Sequence, residues 1–171
     1  KGILKEASLM DLTEVTKFAA RYAKAWCSQD PETVAAFYAE HGSLSVNGGP
    51  PAIGRQAIAN VARGFMSAFP DMKVTMDDLV RKPHEPYGTV FHWTLTGTNT
   101  GPGGTGKRVR ISGYELWQLD EDGLIRDSKG HFDAAEYERQ VLHGVVDWQD
   151  RVCATATYKR GGSASQRRHS R

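Results

Sequence analysis

The sequence predicts an α+β domain in which a curved antiparallel sheet is wrapped by helices around an apolar pocket. Three observations predict it. Apolar residues recur at helical spacing through the first part of the chain. From Gly88 onward the period shortens to the alternation of strands, in segments rich in Thr, Val, Phe and Trp. Helical and extended segments are largely segregated rather than alternating, which argues against a parallel βαβ sheet.

The elements follow in order. Asp11 and Glu14 form a D-x-x-E cap, and Val15, Phe18, Ala19, Tyr22, Ala23 and Trp26 then repeat at helical spacing. Asp30-Pro31 reads as an N-cap with proline at the first helical position. Val34, Phe37 and Tyr38 give this second helix its apolar face, and Gly42 is expected to end it. A short strand is expected at 43–46. A third helix carries Ile58, Val61, Ala62, Phe65, Met66 and Phe69, and Pro70 stops it. Strands are expected at 73–80, 88–98 and 108–119, the last with Val109, Ile111 and Trp117 at alternate positions. Asp120-Glu-Asp-Gly123 is a hairpin turn, and 124–133 returns as the next strand. Asp133 and Glu136 repeat the capping pattern and open a last short helix ending near Gly144. Strands this long coil, so the helices close the sheet into a cone that can keep a cavity.

Composition bounds the rest. The 171 residues suit one domain with tails, expected as an extension over 1–10, the domain over 11–145 and a basic tail over 146–171. The net charge is +2, but residues 1–150 hold 16 basic and 20 acidic side chains, so the basicity belongs to the tail. From Tyr158 to Arg171 the tail has too few apolar groups to offset the entropy of ordering, and no aromatics interleave the charges after Tyr158 as a nucleic-acid arm would require. Cys27 and Cys153 match no metal or redox spacing and fit unpaired thiols in a reducing compartment. Neither a membrane span nor a signal segment is read, so a cytoplasmic protein is expected. The chain opens on Lys1, with Met10 a candidate start. Gly101 to Lys107 matches G-x-x-x-x-G-K, but Arg108 replaces the Ser/Thr and a strand follows instead of a helix, so it reads as a hairpin loop. The six histidines offer no ligand spacing, and no metal or cofactor is expected.

Several ionisable residues fall among aromatic ones. His131 and Asp133 lie two apart at a strand end and share a face, so they could act as an acid/base pair, although Asp133 also suits an N-cap. Glu115 lies mid-strand beside Tyr114, Leu116 and Trp117; register decides whether it faces cavity or solvent. His92 and Trp93 point to opposite faces, so one of them lines the cavity. Trp26, Tyr22 and Phe65 on the helices, with Tyr114 and Trp117, complete the expected ligand-contacting set. Arg126, Asp127 and Asp133 supply in name the Asp-Arg-Asp set of an epoxide hydrolase, but Arg126 and Asp127 face opposite ways.

Phe69-Pro-Asp-Met72, Gly97-Thr-Asn-Thr-Gly101, Asp122-Gly-Leu-Ile125, the Gly54-Arg-Gln-Ala-Ile58 helix start and the Asp133 to Gln140 ending come in an order that resembles the SnoaL-like polyketide cyclases, or ester cyclases, of the nuclear transport factor 2-like superfamily. The resemblance covers about residues 13–144. It implies the cone fold, a pocket for a small hydrophobic molecule, and homodimers through the outer sheet face. It also implies cofactor-free proton abstraction from a carbon beside carbonyls, making the chain a lyase, isomerase or cyclase. In this register the family's catalytic aspartate falls on Gly130, and the histidine of its preceding strand near Glu115 or Trp117. Two other readings follow: a non-catalytic carrier of an apolar ligand, and an assembly module.

Overall fold

The computed structural model describes residues 10–146. The expected N-terminal extension and basic tail, with Cys153, lie outside the described residues apart from Met10 and Val146. The elements are α1 (Leu12–Trp26), α2 (Pro31–Ala35), β1 (Tyr38–Val46), β2 (Ala52–Ile53), α3 (Arg55–Ala68), β3 (Lys73–Arg81), β4 (Thr89–Thr98), β5 (Arg108–Leu119), β6 (Ile125–Phe132) and α4 (Ala134–His143). They form one α+β unit around a single six-stranded sheet, in the order β2-β1-β6-β5-β4-β3.

Local chemistry sets the helix ends. At α1 both halves of the capping box form: the Glu14 amide donates to Asp11 at 2.8 Å and the Asp11 amide to Glu14 at 3.1 Å. Asp30 caps α2 with Pro31 behind it. Asp133 caps α4 by accepting from the Glu136 amide at 3.0 Å. The last turn of α3 is closed from outside, where Asn99 Nδ2 and the Gly101 amide both donate to the Ala68 carbonyl. A Cβ at Gly101 would stand 1.9 Å from the Ser67 carbonyl oxygen, so only glycine lets the loop pass this close. That loop joins β4 to β5, and a strand follows it at Arg108.

The second helix departs from expectation. It stops at Ala35, and Phe37 and Tyr38 leave it for the sheet. Ile125 donates its amide to the Phe37 carbonyl, and Tyr38 pairs with Ile125 in a parallel ladder. Sheet pairing here overrides the helical spacing of Val34, Phe37 and Tyr38. Gly42 therefore ends no helix; it sits in β1 where the ladder register shifts, and a Cβ there would stand 2.8 Å from the Ile125 carbonyl oxygen. The meander β3-β4-β5-β6 is antiparallel throughout, as expected.

The helices cover one face of this sheet. α1 packs on β3, α2 on α3, and α4 on β5. Gln140 anchors α4 by accepting from the Arg110 amide at 2.7 Å. Between helices and sheet lies a core of buried aromatics: Phe18, Tyr22, Trp26, Tyr38, Phe69, Phe91 and Trp117. Phe91 stacks on Trp117 at 4.9 Å, and Tyr22 meets both rings edge-on. No helix among the described residues is long and apolar enough to cross a membrane.

Candidate functional site

The core does not fill completely. A hollow remains between the concave sheet face and helices α1, α3 and α4. Leu44 and Val46 of β1, Phe91, Trp93 and Leu95 of β4, and Phe132 of β6 wall its sheet side. Trp26, Val61, Phe65 and Tyr137 close the helix side. The space between the walls is about 630 Å³, open mouth included, and the centre of a water molecule can range over about 60 Å³ of it. One water needs ~10–15 Å³ on that measure, so the hollow has room for more than a single water.

Glu115 stands in this apolar wall, only 7 % exposed. It shares the parity of Val109, Ile111 and Trp117, so the alternation of β5 turns it inward with them. Trp117 Nε1 donates to its Oε2 at 2.7 Å and Ser128 Oγ at 2.8 Å. The Tyr22 hydroxyl donates to Oε2 at 3.1 Å and reaches Oε1 at 3.4 Å; it lies 2.9 Å from the Tyr38 hydroxyl. Donors thus converge on Oε2, and Oε1 keeps only the longest contact.

Burial drives the pKa of Glu115 above the ordinary carboxylate range, and the bonds from Trp117, Ser128 and Tyr22 oppose that rise without cancelling it. Burial, reinforced by the Glu115 charge, pushes the Tyr22 and Tyr38 hydroxyls up as well, so they stay protonated as donors. A carboxyl anchored through one oxygen, with the other lightly engaged beside an apolar space, is equipped to take a proton from a weak carbon acid and return it.

Two glycines shape the floor. Gly113 pairs with Trp93, and a Cβ there would stand 2.6 Å from the indole Cζ2, so the indole lies across the bare backbone. Gly130 pairs with Glu115 and lines the hollow; a Cβ there would meet only Ser45 O at 3.5 Å and Glu115 Cγ at 3.8 Å. The position at which the resemblance puts an aspartate is therefore an open place beside the Glu115 carboxyl. The Trp93 Nε1 is buried with no hydrogen-bond partner among the described residues. Leaving such a donor unpaired costs about 1–3 kcal/mol.

The structure divides the sequence-predicted set. Glu115, Trp26, Phe65 and Trp93 line the hollow, and Tyr22 and Trp117 lie behind it, bonded to Glu115. His131, Tyr114 and His92 form a cross-strand ladder on the opposite face, with Tyr114 stacked on His131 at 5.0 Å and tilted to His92 at 6.0 Å. Between His92 and Trp93, the tryptophan is the one that faces inward. Asp133 is exposed and occupied as the α4 cap, so it does not pair with His131. Asp127 accepts from Ser43 and Tyr87, so the Asp-Arg-Asp set is not assembled.

Ser128 and Tyr38 belong to the Glu115 network, and no pattern in the sequence singles them out. β6 takes a register irregularity opposite Gln118 and Leu119, which breaks its alternation between Ile125 and Ser128. Tyr38 was hidden by its fit to a helix. For Glu115 the signal was present: its odd parity matches the three apolar residues of β5.

A sequence profile described as the SnoaL-like domain matches residues 19–128. Among curated protein sequences none matches the chain significantly. Solved structures share the fold. A protein of Catenulispora acidiphila with a ketosteroid isomerase-like fold, solved with trimethylamine, is 15% identical, with TM-score 0.64 over 77% of this chain and 96% of its own. TsrD from Streptomyces laurentii is 20% identical, with TM-score 0.66 over 78% and 98%. SalBIII, an epoxide hydrolase/cyclase-like enzyme of pyran ring formation in the polyether salinomycin, is 16% identical, with TM-score 0.63 over 75% and 97%. With the profile spanning most of the sheet and helices α1 to α3, the chain belongs to the SnoaL-like domain family.

Proposed function

We propose that this protein is an acid–base catalyst of the lyase, isomerase or cyclase kind, acting on a small hydrophobic carbonyl compound held in the hollow, with Glu115 as the base. One observation carries the reading: a buried carboxyl, its pKa raised by burial, in the wall of an apolar cavity. The ionised carboxylate removes a proton from the carbon beside the carbonyl. The electron pair moves onto the carbonyl oxygen, giving an enolate. The proton returns to carbon, or the enolate carbon attacks a second carbonyl of the same molecule, whose π electrons pass to its oxygen as that oxygen takes the proton back from Glu115. Carbon acids of this kind are acidic enough to react without a metal or redox group, and burial strengthens the base.

The test is α-proton exchange of 2-indanone in D₂O, followed by NMR. Wild type should accelerate exchange, and Glu115→Gln should lose at least about 100-fold of that acceleration while unfolding at a similar temperature. Full activity in the Gln variant would remove Glu115 from the mechanism. A second reading, a carrier of an apolar ligand, is favoured by the open position at Gly130. It is supported if native mass spectrometry finds a co-purifying guest and neither protein exchanges the ketone.

A further inference from the structure

We propose that the indole N–H of Trp93 is the donor that receives an oxygen of the bound ligand, so that the hollow selects a small ketone over a hydrocarbon of the same shape. This rests on the hollow being a ligand site, as read above. Trp93 lines the hollow, and its Nε1 is shut from solvent without a protein acceptor among the described residues. The side chain is not free to find one. Its six-membered ring lies over Gly113, and Phe132 packs against it edge-on at 6.0 Å. Cζ2, the indole atom nearest Gly113, is bonded to the carbon that carries Nε1, so the N–H lies beside that edge, and a small turn of the indole admits a ligand oxygen to it. The surrounding walls are almost wholly apolar, and the Glu115 carboxyl takes its donors from Tyr22, Trp117 and Ser128.

The two polar groups of the hollow stand in a useful relation. Gly113 and Glu115 are alternate inner-face residues of β5, and Trp93 pairs with Gly113, so Trp93 and Glu115 are diagonal neighbours on paired strands. Long side chains at diagonal positions come within reach of one another, about 7–8 Å apart. A carbonyl oxygen and its α-carbon are two bonds apart, so one compact ketone can present the oxygen to Trp93 and the α-proton to Glu115. The N–H then faces the atom on which negative charge builds as the proton leaves, which is where a fixed donor helps most.

The experiment uses the full chain with its tryptophan indoles ¹⁵N-labelled, titrated with 2-indanone and with indane. The Trp93 signal is assigned by its absence in Trp93→Phe, with Trp93→Tyr as a second variant should the first fail to fold. The expected result is a downfield move of the Trp93 N–H proton with the ketone but not with indane. Trp93→Phe should weaken 2-indanone about tenfold more than it weakens indane. An unmoved indole signal under saturating ketone, or equal loss for both probes, overturns the role of Trp93. If exchange still depends on Glu115 in that case, only this inference falls. If neither probe binds, the hollow fails as a ligand site and both readings fall together.

Discussion

At the scale of single residues, the central fact is that Glu115 is held by one oxygen. Trp117 and Ser128 bond Oε2 at 2.7 and 2.8 Å, and both bonds favour the ionised form. Removing one should let burial act less opposed. Ser128→Ala is therefore expected to raise the Glu115 pKa further and to move the rising limb of the pH–rate profile for ketone exchange to higher pH. Activity well above that limb should be retained. A profile unmoved, or moved to lower pH, would show that the rate does not report the ionisation of Glu115. Much of this residue's role was legible in the sequence, because β5 alternates without interruption from Val109 to Trp117. Its partners were not legible: Ser128 follows a break in strand alternation, and Tyr38 satisfies a helical pattern it does not adopt. For Asp133 the capping geometry won over the acid/base one, and His131 lies behind the sheet with Tyr114.

At the scale of elements, two strand glycines lie on the same face and make opposite demands. At Gly113 a methyl group would stand 2.4 Å from the His131 carbonyl oxygen and 2.6 Å from the Trp93 ring. Backbone cannot retreat cheaply, so Gly113→Ala is expected to destabilise by about 1–3 kcal/mol. At Gly130 the nearest atoms are at 3.5 and 3.8 Å, so Gly130→Ala should fold normally while filling space beside Glu115. Urea unfolding and 2-indanone titration of both variants check the pair: stability should fall in the first, and ligand affinity in the second. Equal stability of the two variants would contradict this account of the floor. Strand boundaries were readable to within a residue or two for β3, β4, β5 and β6, where turn residues and alternation agree. The two-residue β2 carries too little pattern to be seen, and α2 was overextended because three apolar residues happened to fall at i, i+3 and i+4.

At the scale of the whole molecule, the buried carboxyl ties stability to pH. Its folded pKa lies above the 4.5 of a glutamate in the open chain. Its contribution is thus complete below that value and is lost as pH rises through the raised folded pKa. The stability of wild type relative to Glu115→Gln should therefore decline from about pH 4.5 upward, read as a difference in thermal midpoint across a pH series. A flat or rising difference would mean that the carboxyl is not penalised by burial. The helix-over-sheet architecture could be anticipated from period and capping alone. The strand order could not, because β1 joins β6 in parallel across some eighty residues of intervening chain, and nothing local encodes that partnership. This long-range closure governs the order in which the protein can come into being. Tyr22 and Tyr38 are made well before Glu115, Trp117 and Ser128, the residues that complete their network. A nascent chain emerging from the ribosome must carry β1 without its parallel neighbour until β6 is translated, and the hydrogen bonds around Glu115 cannot all be in place before then.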